Sequence, residues 1–135
     1  MKIINNENYV DKAESVIKSL TNCTVSNGFK EYKVKLLSTS QIRNILAMTA
    51  NIYNEVLLLT EAALTEKIKE QITYLRIRCI YEAGRSGNEP VKYFVEKSGI
   101  LEILPSIESR KDYILFSHYM EALVAWRKFL GGKDD

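Results

Sequence analysis

Thr65 to Arg85, TEKIKEQITYLRIRCIYEAGR, gathers the residue types best suited to hold a ligand. Ile68, Ile72, Leu75, Cys79 and Ala83 recur at three- and four-residue steps, the spacing of one buried helix face. At about 100° per residue a second line runs along its flank: Lys67, Gln71, Tyr74, Arg78, Tyr81 and Arg85. Cations and aromatics alternate there on a surface the core does not need. Arginine offers a planar fork of donors that fits phosphate, and tyrosine a flat face for a base or sugar. Gly84 lets the chain turn away after Ala83, with Arg85 near the helix end. The same spacing supports a plainer arrangement. Arg78 and Arg85 lie four and three residues from Glu82, the separations of ordinary intrahelical ion pairs.

Other chemistry is sparse. His118 is the single histidine, and Cys23 and Cys79 are far from it and from each other, so no metal-ligand spacing exists. There is no glycine-rich phosphate loop, no GxGxxG and no GxSxG. Carboxylates are spread along amphipathic stretches, as solvated faces require. Tyr53, Tyr93, Tyr113 and Tyr119 read as core-edge residues with hydroxyls reaching water.

The chain that positions these groups has 135 residues, enough for one domain, 1–135, with its own core. A formal charge of +2 does not by itself signal nucleic acid, so any basic surface comes from segregating charges. Two cysteines without a CxxC pair fit reduced thiols and a cytoplasmic location. The N-terminus lacks the apolar segment of a signal peptide. No apolar run reaches membrane-spanning length; the longest is broken by His118, Glu121, Arg127 and Lys128.

Val10, Ala13, Ile17 and Leu20 mark the buried face of a first helix over Tyr9–Leu20. The polar, turn-rich stretch to Lys35 reads as a loop, with Asn27-Gly28 a turn signal and a brief two-stranded hairpin the alternative. Ser38 and Gln41 form a capping-box pair opening a second helix, with Ile42, Ile45, Leu46, Ile52, Tyr53 and Val56 inward. A different flank, Arg43, Ala47, Ala50 and Asn54, makes a shallow surface that another chain could approach; small residues also simply suit helix packing. Leu57, Leu58 and Leu59 read as a buried helix end, with Thr60 or Thr65 capping the third helix.

Ser86-Gly87-Asn88 is a turn, Asn88 caps a fourth helix with Pro90 in its first turn, and Gly99 ends it in a left-handed cap. Val91, Phe94 and Val95 face in. Ile100 to Leu104 make a short apolar turn stopped by Pro105. The last helix, about Ser109 to Leu130, is apolar around most of its circumference, with a polar strip of Ser117, Glu121 and Lys128 before Gly131-Gly132 and a solvated tail. Such a helix is central to a core or lends a face to another subunit. The expected fold is all-α, a compact bundle of about five helices with the C-terminal helix central.

YVDKAESVIKSL, STSQIRNIL, ITYLRIRCIYEAGR with VKYFVEKSGILEIL, and YMEALVAWRKFLGGKD, taken in order, resemble the small subunit of the type III-A CRISPR (Csm) effector complex. The resemblance covers all but the Thr21–Lys35 loop, where roles for Lys30, Lys33 and Lys35 stay open. It implies a non-catalytic scaffold that needs no cofactor and self-associates in stacked copies. Its partners are then guide RNA, target RNA, the backbone subunit and the large polymerase-like subunit. Cleavage belongs to those other subunits. Carried onto this chain, it points to Arg43, Arg78 and Arg85 as RNA-backbone contacts, then Arg76 and Lys92, with Ser40 and Gln41 at a helix N-terminus that suits phosphate. Contacts go to phosphate and ribose, because base pairing with a guide already reads sequence. A helical protein–protein adaptor whose arginines form only surface ion pairs is the alternative, and an enzyme the third reading.

Overall fold

In the computed structural model, residues 3–21, 24–26, 28–29, 31–33, 36–85 and 89–131 are described. Six α-helices carry the fold: α1 (Tyr9–Thr21), α2 (Thr39–Leu57), α3 (Glu66–Gly84), α4 (Glu89–Ser98), the single turn α5 (Ile100–Ile103) and α6 (Arg110–Gly131). The all-α expectation holds, and the outline of about five helices is met by five long ones plus α5. Between α1 and α2, β1 (Thr24–Ser26) and β2 (Glu31–Lys33) pair antiparallel, with Val25 opposite Tyr32. The hairpin alternative therefore replaces the expected loop. Gly28, at φ +93°, takes a left-handed turn conformation that a side chain would resist.

Local chemistry sets the helix ends. Ser38 caps α2: its Oγ accepts from the Gln41 amide at 3.1 Å, and Gln41 Oε1 accepts from the Ser38 amide at 2.8 Å. Thr65, rather than Thr60, caps α3 by accepting from the Ile68 amide at 3.2 Å. Gly84 stays helical, and the chain leaves the helix at Arg85, whose ψ is 142°. Gly99 adopts φ +75° between α4 and α5, the left-handed break its sequence position predicts. Pro105 falls within a 3-10 turn, Leu104–Ser106, after which the chain runs extended to α6. The Ser86-Gly87-Asn88 turn, Asn27, Cys23 and the tail after Gly131 lie outside the described residues.

α6 packs mainly on α1 and α2, and α3 on α4 and α2. Tyr113, Phe116, Tyr119, Met120 and Leu123 are fully buried along α6. Tyr113 and Tyr119 are not at the core edge as expected. Their rings are enclosed, and each hydroxyl donates to a backbone carbonyl, of Thr49 and Ser98 respectively, both at 2.7 Å. Burial pushes both phenols well above their usual pKa range, so they remain donors.

Further positions depart from the helical reading. Val10 is exposed because Val16 completes the α1 stripe with Ala13, Ile17 and Leu20. In α2, Thr49 is buried while Leu46 and Tyr53 are only half-buried; the Thr49 hydroxyl turns back onto the Leu46 carbonyl at 2.7 Å, so it can face the core. Leu57 and Leu58 are exposed because they stand about 100° and 200° around the helix end from buried Val56, and Leu59, beyond that end, is half-buried. Ser117 leaves the polar strip and is buried, being small enough to fit among the α6 core residues. Arg127 is buried too: its Nε donates to the Leu37 carbonyl at 2.8 Å, tying the end of α6 to the approach of α2.

Candidate nucleic-acid interface

The buried stripe of α3 is Ile68, Ile72, Leu75 and Cys79, with Ala83 half-buried. That anchors the helix with its cationic, aromatic flank facing outward, and the flank then divides into two working halves.

The first half is taken up by the fold. Lys67 Nζ lies 3.2 Å from Glu55 Oε1 on α2, and Gln71 Nε2 donates to Glu55 Oε2 at 2.6 Å. The Gln71 hydrogen bond, then Lys67, hold the Glu55 carboxyl below its ordinary value. These residues clamp α2 to α3.

The second half is different. Glu82 takes two guanidinium groups, Arg78 Nη2 at 3.3 Å and Arg85 Nη1 at 3.0 Å. The arginine side chains are 38% and 57% exposed, so neither is tucked inward. Two cations share one carboxylate, which leaves positive charge in excess within the trio. Exposed pairs of this kind contribute only about 0–1 kcal/mol, so a competing anion can displace them. Arg78 also lies over the Tyr81 ring, which keeps its guanidinium on the surface side of the helix. Tyr74 and Tyr81 are 61% and 58% exposed.

Arg43 is exposed on α2 in line with Ala47, Ala50 and Asn54, and its side chain has no hydrogen bond or ion pair with any described residue. At the start of the same helix, the capping box already uses the Gln41 side-chain oxygen and amide, and Ser40 is exposed beside it. Arg76 is exposed but sits about 160° around α3 from Arg78, next to exposed Ile77 and Ile80. Lys92 is exposed on α4. Arg78 and Arg85 are thus brought together, Arg76 is turned to another face, and Arg43 and Lys92 stand on other helices.

Two features escaped the sequence reading. A slot of about 250 Å³ lies between α2 and α3, lined by Met48, Asn51, Ile52, Gln71, Tyr74 and Arg78. Its only signal was the 48/51/52 spacing on α2 facing 71/74/78 on α3. An open apolar groove of about 820 Å³ runs between α1 and α6, walled by Tyr9, Val10, His118, Trp126 and Phe129. Phe129 meets Trp126 edge to face and is 78% exposed.

Cys79 is no nucleophile: burial first, then the nearby Glu82 charge, push its thiol up to about 11. Among the described residues no His, Cys, Asp and Glu side chains group to hold a metal ion. Among the described residues no helix is long and apolar enough to cross a membrane.

A Csm2 Type III-A family profile matches residues 14–133. The CRISPR system Cms protein Csm2 of Streptococcus thermophilus is 40% identical over 134 residues, covering 99% of this chain and 100% of that protein. Its counterpart of the same name in Mycobacterium tuberculosis is 38% identical over 129 residues, 95% of each chain. The Enterococcus italicus protein of that name is 32% identical over 97 residues, 69% of this chain and 67% of its own length. With its helical order in place and nearly its full length matched, the chain belongs to the Csm2 family of type III-A CRISPR systems.

Proposed function

We propose that this chain, a single helical domain, is a non-catalytic RNA-binding structural subunit of a type III-A CRISPR ribonucleoprotein. It works in the cytoplasm without a cofactor, and several copies stack along a guide–target RNA duplex. The observation that carries this reading is the surface trio of Arg78, Arg85 and Glu82, two guanidiniums on one carboxylate beside Tyr81. Phosphates replace Glu82 as the acceptor, and Arg43 adds a guanidinium with no internal partner among the described residues. Arg76, Lys92, Ser40 and Gln41 extend the contacts to other faces. The apolar α1/α6 groove supports self-association and docking to the backbone and large polymerase-like subunits.

RNA affinity measured across a salt series tests the reading. Binding that weakens log-linearly as salt rises supports it. The adaptor reading is favoured by the fact that both arginines already have Glu82 as a partner. It predicts no salt-dependent RNA binding by the isolated chain. Ultraviolet crosslinking in the chain's own cells separates the two, since RNA joins covalently to the tagged chain itself only under the first.

A further inference from the structure

Gln71, which lines the slot between α2 and α3, carries a buried acceptor with nothing to accept. Gln71 Nε2 donates to Glu55 Oε2 at 2.6 Å, while Gln71 Oε1 is buried and has no hydrogen-bond partner. The orientation of this amide is not arbitrary. Glu55 is held as a carboxylate by Gln71 and by Lys67, and a carboxylate only accepts. The NH₂ group must therefore face Glu55, and Oε1 is left requiring a donor. Buried acceptors of this kind are rare enough to call for an explanation.

The surroundings restrict what that donor can be. Arg78, at one end of the same slot, attracts anions, and Tyr74 presents an exposed ring along it. Phosphate oxygens only accept, so a phosphate satisfies Arg78 and not Gln71. Base amino groups donate, but only some bases carry them, which conflicts with a surface that must take any sequence. The one donor that every ribonucleotide carries is its 2′-hydroxyl. We infer that the slot reads the ribose 2′-hydroxyl through Gln71 Oε1, making Gln71 the residue by which this chain prefers RNA to DNA. The inference rests on the RNA-binding reading above and deepens it.

Two helical turns, about 10 Å, separate Gln71 from Arg78, so the phosphate at Arg78 belongs to a neighbouring nucleotide. Oε1 is covered in the unliganded chain, and reaching it requires the outer lining side chains to part. Met48 is unbranched and adaptable, and Tyr74 stands mostly in solvent.

The test uses the full chain and three probes of one sequence: RNA, DNA, and 2′-fluoro RNA, which keeps the RNA sugar pucker but has no 2′ donor. Fluorescence anisotropy at fixed salt should show RNA bound roughly three- to tenfold more tightly than 2′-fluoro RNA, the worth of one hydrogen bond. Gln71→Met should bring RNA down to the 2′-fluoro level, while Arg78→Ala weakens all probes and keeps their ratio. Equal binding of RNA and 2′-fluoro RNA by the parent chain overturns the inference and leaves RNA binding itself intact. So does a ratio that survives in Gln71→Met, which would assign Oε1 to a trapped water. No binding of any probe overturns both this inference and the function it rests on. The parent comparison needs no variant, so a poorly folded Gln71→Met still leaves a decisive result.

Discussion

The guanidinium carbon of Arg78 sits 5.1 Å from the ring centroid of Tyr81, so the cation is held against an aromatic face on the solvent side of α3. If that flank meets RNA phosphate, Arg78→Ala with Arg85→Ala should weaken RNA binding at least tenfold and flatten the salt dependence by about two contacts' worth. Circular dichroism should stay unchanged, because neither side chain enters the core. Parent-like affinity in the double variant would make the flank purely structural.

Glu82 gives a prediction of opposite sign. It holds both arginines, at 3.3 and 3.0 Å, in the place an incoming phosphate would take under the proposed function. Glu82→Gln should therefore tighten RNA binding by several-fold at low salt, with the gain fading as salt screens it. A loss of affinity would mean that Glu82 orients the arginines instead of restraining them.

Glu55 ties folding stability to pH. Its carboxyl lies below the ordinary 4.5 in the folded chain, so folding favours the ionised form. Its contribution is full above pH 4.5 and is lost as pH falls through the lower folded value. Glu55→Gln should lower the urea midpoint at pH 7, and the gap to the parent should narrow in acid. Between pH 6 and 8 the gap should stay flat.

Tyr113→Phe and Tyr119→Phe each remove a buried hydroxyl bonded to a main-chain carbonyl at 2.7 Å. Each should cost about 1–2 kcal/mol of stability and lower Tm by several degrees, read by thermal denaturation. RNA affinity per folded molecule should not change.

Phe129 presents 78% of its surface beside the α1/α6 groove. Phe129→Glu should leave the thermal midpoint near that of the parent while reducing recovery of assembled complex from cells. Unimpaired assembly would show that the groove is not a contact.

Helical periodicity made α3 legible down to its buried stripe, and cap chemistry located Ser38 and Gly99 and narrowed the α3 cap to Thr60 or Thr65. It failed where a polar side chain finds a distant backbone partner. Arg127 meets Leu37 across 90 residues, and the Tyr113 and Tyr119 hydroxyls likewise reach carbonyls that no local pattern announces. The Arg78–Glu82–Arg85 arrangement was legible because all three lie within two turns. The Gln71–Glu55 clamp was not, because its partners belong to different helices and only packing fixes which faces meet.

The anchors along α6 bear on how the chain is made. Tyr113, Tyr119 and Arg127 fasten this helix to α2, to the end of α4 and to the segment before α2. Every one of those partners leaves the ribosome earlier than α6 does. Translation thus produces the first five helices without the element that closes over them, and the finished core awaits emergence of residues 110–131. Stalled or shortened nascent chains lacking that segment carry their apolar faces uncovered, as ready substrates for chaperones and proteases.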